Sequence, residues 1–426
     1  MAVLVLMAAV LAGCGGGAGA DAGGAQSKRS PLPLPRADAD PFYAAPAQVP
    51  DAPGTLLKSR PIVYRPLGVP LPNPAWQLQY VTRSADGRPR TAVATVVTSL
   101  QQNLLGRPAL LSYQFAYDSL GAECTPSHTA TGSTRNLINL AETAEILPTL
   151  LGFGWTLIFP DYEGPDHAFG AGPLAGRATL DAIRAALRFE PLQFTADTPV
   201  ALWGYSGGGY ATSWAAALQP GYAAEINLVA AAFGGAVVDP LDVVRRNEDT
   251  DSFNFLFTMI LGMAREYPDL LSLEALTPRG AGLVEAARDV CAGELPDAAP
   301  ADGIQVSDYV AADDPYRMQG FEEVGARVSL LRSDLAPSVP VYVYHEIGDE
   351  LVSIDRMDEL VAKWCGAGVQ LSYHRSAAGA DNDGQPHSRV HNVGAANGAP
   401  AAVAYLQGRF GGVSAPVTLY GAESCN

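Results

Sequence analysis

Five residues, Gly204-Tyr205-Ser206-Gly207-Gly208, constrain this chain more than any other stretch. The run before them, residues 199–203, is apolar throughout and reads as a buried strand. The run after them, residues 210–218, is rich in alanine and reads as a helix. A strand that passes into a helix through so short a turn leaves its central residue at a strained backbone angle. A Cβ on the flanking positions would strike the strand or the helix, so small residues are required there. The serine hydroxyl then projects clear of the main chain, and the helix N-terminus beneath it favours negative charge. An ordinary glycine-rich turn is the bland alternative, and the strand and helix on either side count against it.

The rest of the chain supplies layers to hold such a turn. Residues 76–83 and 90–99 alternate or run β-branched around Asp86-Gly87, which predicts a hairpin. Further strands are expected over 108–114, 154–159, 226–233, 340–345 and 369–374. Helical spacing covers 136–151, 176–189 (with Leu180, Ile183 and Leu187 on one side) and 399–410. Strands alternating with helices imply an α/β domain with a mostly parallel sheet covered on both faces. With Gly-x-Ser-x-Gly at a strand-to-helix junction, the fold class is that of an α/β-hydrolase, and the turn is its nucleophile elbow. Between about 239 and 325 the rhythm stops. Residues 253–263 are apolar nearly all round, so that helix must be buried on both sides or lie over an apolar ligand. This stretch is expected to be a helical cap inserted after the nucleophile; a purely structural subdomain is the alternative.

The start of the chain carries a different signal. Residues 2–11 are apolar but too few to span a bilayer, and they end in Leu11-Ala12-Gly13-Cys14, which resembles a bacterial lipobox. No Lys or Arg precedes that run, unlike the usual charged start of an export signal. The organisation expected is a signal peptide over 1–13, a lipidated Cys14, a Gly/Ala/Ser/Pro-rich flexible tether over 14–53, the first part of the core over 54–238, the cap over 239–325 and the second part of the core over 326–426. Export to the cell envelope, as a lipoprotein or a secreted protein, follows from this reading.

A net charge of −17 argues against nucleic acid as a partner. The three lysines, Lys28, Lys58 and Lys363, stand neither in a phosphate-binding glycine loop nor where a Schiff-base nucleophile would. Four cysteines follow Cys14: Cys124, Cys291, Cys365 and Cys425. An even number in an exported chain suggests two disulfides, and spacing alone does not choose among the three pairings. A metal site is the rival reading, but the sequence has no C-x-x-C, and neither a metal nor another cofactor is expected.

A serine nucleophile needs an acid and then a histidine, in that chain order. After strand 340–345 come Glu346-Ile347-Gly348-Asp349-Glu350, and Asp349 fits the acid position, with Glu350 and Asp355 as nearby rivals. A helix N-cap is the structural alternative for Asp349. His374, His387 and His391 follow; His374 belongs to a strand, while His387 and His391 lie in the loop 376–398 before the last helix. His391 is preferred for its distance to that helix, and His387 stays open. His128, His167 and His345 read as structural. The oxyanion hole takes one donor from the N–H of Gly207 and a second from the loop Phe115-Ala116-Tyr117-Asp118-Ser119.

Several pieces together resemble the secretory lipase family, the lipase A-type group of α/β-hydrolases. They are Tyr117-Asp118-Ser119 with Cys124 shortly after, Gly152-Phe153-Gly154, Pro160-Asp161-Tyr162-Glu163-Gly164, the elbow, Gly348-Asp349-Glu350-Leu351-Val352, and His391 followed by Gly398, Pro400 and Arg409-Phe410-Gly411-Gly412. The resemblance runs from about residue 56 to the C-terminus. It implies a lipase or esterase with a helical cap, a second oxyanion donor at Asp118, a Ser206–Asp349–His391 triad, and the bridges Cys124–Cys291 and Cys365–Cys425. The function expected is a carboxylic-ester hydrolase acting on acylglycerols or other apolar esters. Alternatives are a peptidase of the same fold and a non-catalytic lipoprotein that binds lipid or a partner.

Overall fold

In a computed structural model the described residues are 33–103, 106–247, 250, 252–271, 276–292, 294, 308–311, 319–377, 389–411 and 422–425. The strands are β1 (Leu56–Val63), β2 (Pro74–Arg83), β3 (Pro89–Val97), β4 (Leu110–Gln114), β5 (Thr156–Pro160), β6 (Val200–Tyr205), β7 (Leu228–Gly234), β8 (Val341–Glu346), β9 (Leu371–Ser376) and β10 (Ala422–Cys425). They lie side by side in the order β1-β2-β3-β5-β4-β6-β7-β8-β9-β10. From β5 to β9 every neighbouring pair is parallel, while β1, β2 and β3 form an antiparallel meander and β10 closes the far edge antiparallel to β9. The sheet is therefore mostly parallel.

The helices are α1 (Pro126–Thr131), α2 (Leu137–Gly152), α3 (Gly172–Leu187), α4 (Ser206–Tyr222), α5 (Pro240–Arg246), α6 (Phe253–Glu266), α7 (Pro278–Ala286), α8 (Gln319–Val328), α9 (Ile354–Gly366) and α10 (Arg389–Phe410). Alternate strand residues face opposite layers. Trp203, Tyr205, Tyr342 and Tyr344 pack with Tyr405, Leu406 and Phe410 of α10, whereas Val200, Leu202 and Ala231 pack with residues of α3 and α4. Burial on both faces explains why the central strands are continuously apolar instead of alternating. None of the described helices is long and apolar enough to cross a membrane.

The chain leaves β4 for β5 on one side of the sheet and returns through α3 to β6 on the other side of β4. Such a reversal opens a crevice at the carboxyl ends of the two adjacent strands. Gln114 of β4 stands opposite Gly204 of β6, so the loops that leave these strands meet. Asp118 lies on the loop that leaves β4, and Ser206 stands at the junction of β6 with α4.

Helices α5 to α8 lie in the stretch where the strand rhythm breaks. Leu256, Phe257, Met259, Ile260, Leu261, Met263 and Ala264 of α6 are all buried, as its all-round apolar sequence requires. Arg265, also buried, donates to the carbonyls of Leu120, Asp166 and His167 at 2.8, 2.9 and 3.3 Å. The disulfide Cys124–Cys291 ties the same region to the loop after β4, and Cys365–Cys425 joins α9 to β10.

Two expectations are corrected. The last helix begins at Arg389, ten residues before the helical pattern, because Gly394, Gly398 and Pro400 mask its period. A Cβ at Gly398 would come 1.9 Å from the Tyr344 ring, so this glycine serves helix–sheet contact and not a loop. The tether expected over 14–53 does not extend through its described end. There Gln79 donates to the carbonyls of Phe42, Tyr43 and Ala44, Arg36 pairs with Asp289 at 2.7 Å, and the Arg60 guanidinium covers the Phe42 ring at 4.3 Å. Cys14 and His387 lie outside the described residues.

Candidate active site

Ser206 is the first residue of α4 and has φ of +53°, a left-handed conformation that a side chain seldom adopts. The surrounding glycines make the conformation possible. A Cβ at Gly208 would lie 1.9 Å from the Gln114 carbonyl oxygen, and one at Gly204 would lie 2.4 Å from that of Gly208. The serine is partly exposed while its partners are buried.

His391 occupies the first turn of α10. Its Nε2 lies 2.7 Å from Ser206 Oγ, and its Nδ1 lies 2.7 Å from Asp349 Oδ2. An ionised carboxylate only accepts, so Nδ1–H donates to Asp349 and Nε2 is left to accept the serine hydroxyl. Burial alone would lower the imidazole's pKa, but the Asp349 charge and hydrogen bond, followed by the charges of Glu350 and Asp118, outweigh it and raise it above the usual value.

Asp349 sits in the turn that follows β8. Burial would raise its pKa; the charge and hydrogen bond of His391, the neighbouring His345 and the Val352 amide together hold it below the usual carboxylate range. Its Oδ1 accepts the N–H groups of Leu351 and Val352 at 3.1 and 2.8 Å, which fixes the carboxylate plane. His345 reads as structural in sequence, yet its Nε2 is 3.4 Å from Asp349 Oδ2 and 2.9 Å from the Val352 carbonyl, so it braces the acid-bearing turn. Of the rival acids, Glu350 accepts from the Val390 N–H at 2.9 Å, and the Asp355 side chain is 73% exposed. His374 lies on β9, His128 pairs with Asp38 at 3.0 Å, and burial keeps His167 neutral with a pKa of about 3.

The loop after β4 brings Asp118 to the elbow. This residue has φ of +38°, is buried, and lies against Gly207, whose N–H belongs to the unpaired first turn of α4. Burial pushes the Asp118 carboxyl up to about 7, against the lowering effect of the His391 charge. Among the described residues its Oδ1 has no hydrogen-bond partner. Asn136, the N-cap of α2, holds this loop by donating to the Tyr117 carbonyl at 2.8 Å. Arg265 holds it from the other side through Leu120. Neither support has a motif in the sequence, because each joins residues distant along the chain.

This arrangement has the parts for acyl transfer: a hydroxyl held by a base, an acid orienting that base, and polar hydrogens gathered at a helix N-terminus. No group of His, Cys, Asp and Glu among the described residues is arranged to hold a metal ion.

A family model described as "Secretory lipase" matches residues 132–417. The chain is 30% identical over 345 residues to a secreted triacylglycerol lipase of Malassezia furfur, covering 79% of this chain and 70% of the relative. It is 29% identical over 392 residues to a Mycobacterium tuberculosis protein named a probable inactive lipase, covering 88% and 82%. Among solved structures, Candida antarctica lipase A in its closed state superposes with a TM-score of 0.79 at 25% identity, covering 89% of this chain and 87% of that one.

Proposed function

Since the chain belongs to the secretory lipase family, we propose that it is a serine carboxylic-ester hydrolase acting on apolar acyl esters, acylglycerols among them. One observation carries the reading: the unbroken relay from Ser206 Oγ through His391 to Asp349, both links 2.7 Å.

Ser206 Oγ attacks the ester carbonyl carbon and passes its proton to His391 Nε2, while Asp349 stabilises the imidazolium that forms. The carbonyl oxygen becomes an oxyanion beside the Gly207 N–H and Asp118. A protonated Asp118 has an O–H to donate there, and such a donor contributes about 3 kcal/mol to the transition state. The tetrahedral intermediate collapses as the imidazolium gives its proton to the leaving alkoxide, which departs as the alcohol. Water then repeats the sequence on the acyl-serine, releasing the carboxylic acid and restoring the hydroxyl. The apolar segment around α6 supports a preference for acyl chains, with residues 239–325 as a cap. The triacylglycerol lipase of Malassezia furfur supports the same substrate class.

A non-catalytic, lipid-binding role is the second reading, raised by the relative named a probable inactive lipase. A binder has no need of the hydrogen-bonded relay present here. The two disulfides and the family support an exported protein. Attachment to a membrane through a lipidated Cys14 is the finer reading, tested by palmitate labelling.

The test is hydrolysis of p-nitrophenyl esters of graded chain length and of emulsified triacylglycerol. Turnover favouring acyl esters, lost in Ser206→Ala at unchanged folding, is the expected result. Peptide cleavage without ester cleavage, or no turnover of either class, would overturn it.

A further inference from the structure

Two residues next to members of the relay hold the main chain on either side of the third. Tyr205 directly precedes Ser206, and its hydroxyl donates to the His391 carbonyl oxygen at 2.6 Å. Glu350 directly follows Asp349, and its Oε1 accepts the Val390 N–H at 2.9 Å. The first amides of a helix have no carbonyl partner within it, so an acidic side chain at the start of α10 satisfies a donor and complements the helix dipole.

The contact with Tyr205 is built for close approach. Its ring is buried, lies 5.2 Å from the His391 imidazole and stacks on Tyr344 at 5.7 Å. A Cβ at Gly394 would come 2.4 Å from the Tyr205 hydroxyl oxygen, and one at Gly235 would come 2.6 Å from its ring. Glycine on both sides gives the phenol a slot that fixes where its hydroxyl points.

We propose that Tyr205 and Glu350 are positioning residues that clamp the Val390-His391 segment, locking the histidine-bearing turn to the nucleophile elbow and to the acid turn at once. This rests on the reading of Ser206, His391 and Asp349 as the catalytic relay. Without the clamp the first turn of α10 loses its two ties to the neighbouring turns, and a small displacement there lengthens both ring hydrogen bonds of His391. Misplacement by about 1 Å costs up to about a hundredfold in rate.

The variants Tyr205→Phe, Glu350→Ala and Glu350→Gln test it on a soluble ester. Phenylalanine keeps the ring and removes only the hydroxyl. Glutamine keeps an oxygen that accepts the Val390 N–H and replaces the charged second oxygen by a neutral amide nitrogen. The clamp requires kcat to fall about ten- to a hundredfold in Tyr205→Phe and in Glu350→Ala, with KM and thermal midpoint unchanged. Glu350→Gln restores the kcat plateau. It also moves the ascending limb of the pH profile to lower pH, since Glu350 is one of the charges, with Asp349 and Asp118, that favour the protonated imidazole. Wild-type kcat in either Tyr205→Phe or Glu350→Ala would overturn the proposal, as would a Glu350→Gln variant as slow as Glu350→Ala. Should Tyr205→Phe fold poorly, the Glu350 pair decides alone. Ser206→Ala, run in parallel, separates the two failures: full activity there defeats the serine mechanism itself, while an inactive Ser206→Ala beside wild-type clamp variants defeats only the clamp.

Discussion

Asp118 and Gly207 stand so close that a Cβ added to Gly207 would lie 1.8 Å from Asp118 Oδ1. Glycine at this position therefore does more than permit the turn; it admits a carboxyl group against the first turn of α4. Both sides of that contact come from strands that are neighbours in the sheet, β4 and β6.

On the proposed mechanism Asp118 and His391 give activity two opposed dependences on pH. Asp118 carries its proton below about pH 7 and can donate to an oxyanion; above that it is charged and repels one. His391 must be neutral to accept the serine proton, and its pKa is raised above the usual 6.5, so activity rises as the imidazolium loses its proton. The kcat/KM profile is expected to be bell-shaped, with an alkaline limb near pH 7. In Asp118→Asn the amide donates at every pH, so the alkaline limb disappears. In Asp118→Ala, kcat falls by about 10²–10³. An unchanged alkaline limb in the asparagine variant would contradict this role.

Gly208→Ala and Gly207→Ala should fail differently. The alanine at 208 meets the main-chain oxygen of Gln114 at 1.9 Å, which cannot rotate away. That variant is expected to lose activity and also about 1–3 kcal/mol of stability, read from denaturant unfolding. The alanine at 207 meets a side chain, which can swing aside. Its loss is in kcat, with stability near wild type.

Asp349→Asn isolates the orienting role of the acid. Its Oδ1 counterpart can still accept the Leu351 and Val352 amides, so the turn keeps its shape. The imidazole is then held in the wrong tautomer, and kcat should drop by about 10⁴ at an unchanged thermal midpoint. A drop of less than tenfold, measured by ester hydrolysis, would remove Asp349 from the relay.

The two disulfides should separate stability from activity. Replacing either pair by serine is expected to cost about 2–5 kcal/mol, since each closes a long loop. The Cys124 carbonyl also receives the Asn136 and Asn139 side-chain amides beside the Asp118 loop, so losing Cys124–Cys291 should lower kcat as well. Cys425 pairs with Leu371 at the start of β9, the end of the strand opposite the site, so losing Cys365–Cys425 should lower the thermal midpoint alone.

The parts of the fold that read clearly in sequence are those whose signal is local. The elbow announces itself because positions 204 and 208, two residues either side of Ser206, have no room for a side chain, and Asp349 because it follows an apolar strand through a glycine turn. The helix that bears His391 is less legible. Gly394 and Gly398 let Tyr205 and Tyr344 approach, and those demands erase the helical period that would place His391 in the first turn of a helix. β1 has no clear strand pattern because it contains Pro61 and is partly exposed, as an edge strand tolerates, and β10 because four residues carry too little pattern. The docking of residues 36–44 depends on Gln79 and Arg60, which belong to strands of another part of the chain.

In the proposed mechanism Ser206 becomes covalently acylated with His391 as its base. The direct measurement is the mass of peptides from protein treated with a p-nitrophenyl alkylphosphonate, compared for wild type, Ser206→Ala and His391→Ala. One adduct is expected, on Ser206, forming together with loss of esterase activity, slowed strongly in His391→Ala and absent in Ser206→Ala. Inactivation with the adduct on another residue, or ester turnover that persists in Ser206→Ala, would contradict it.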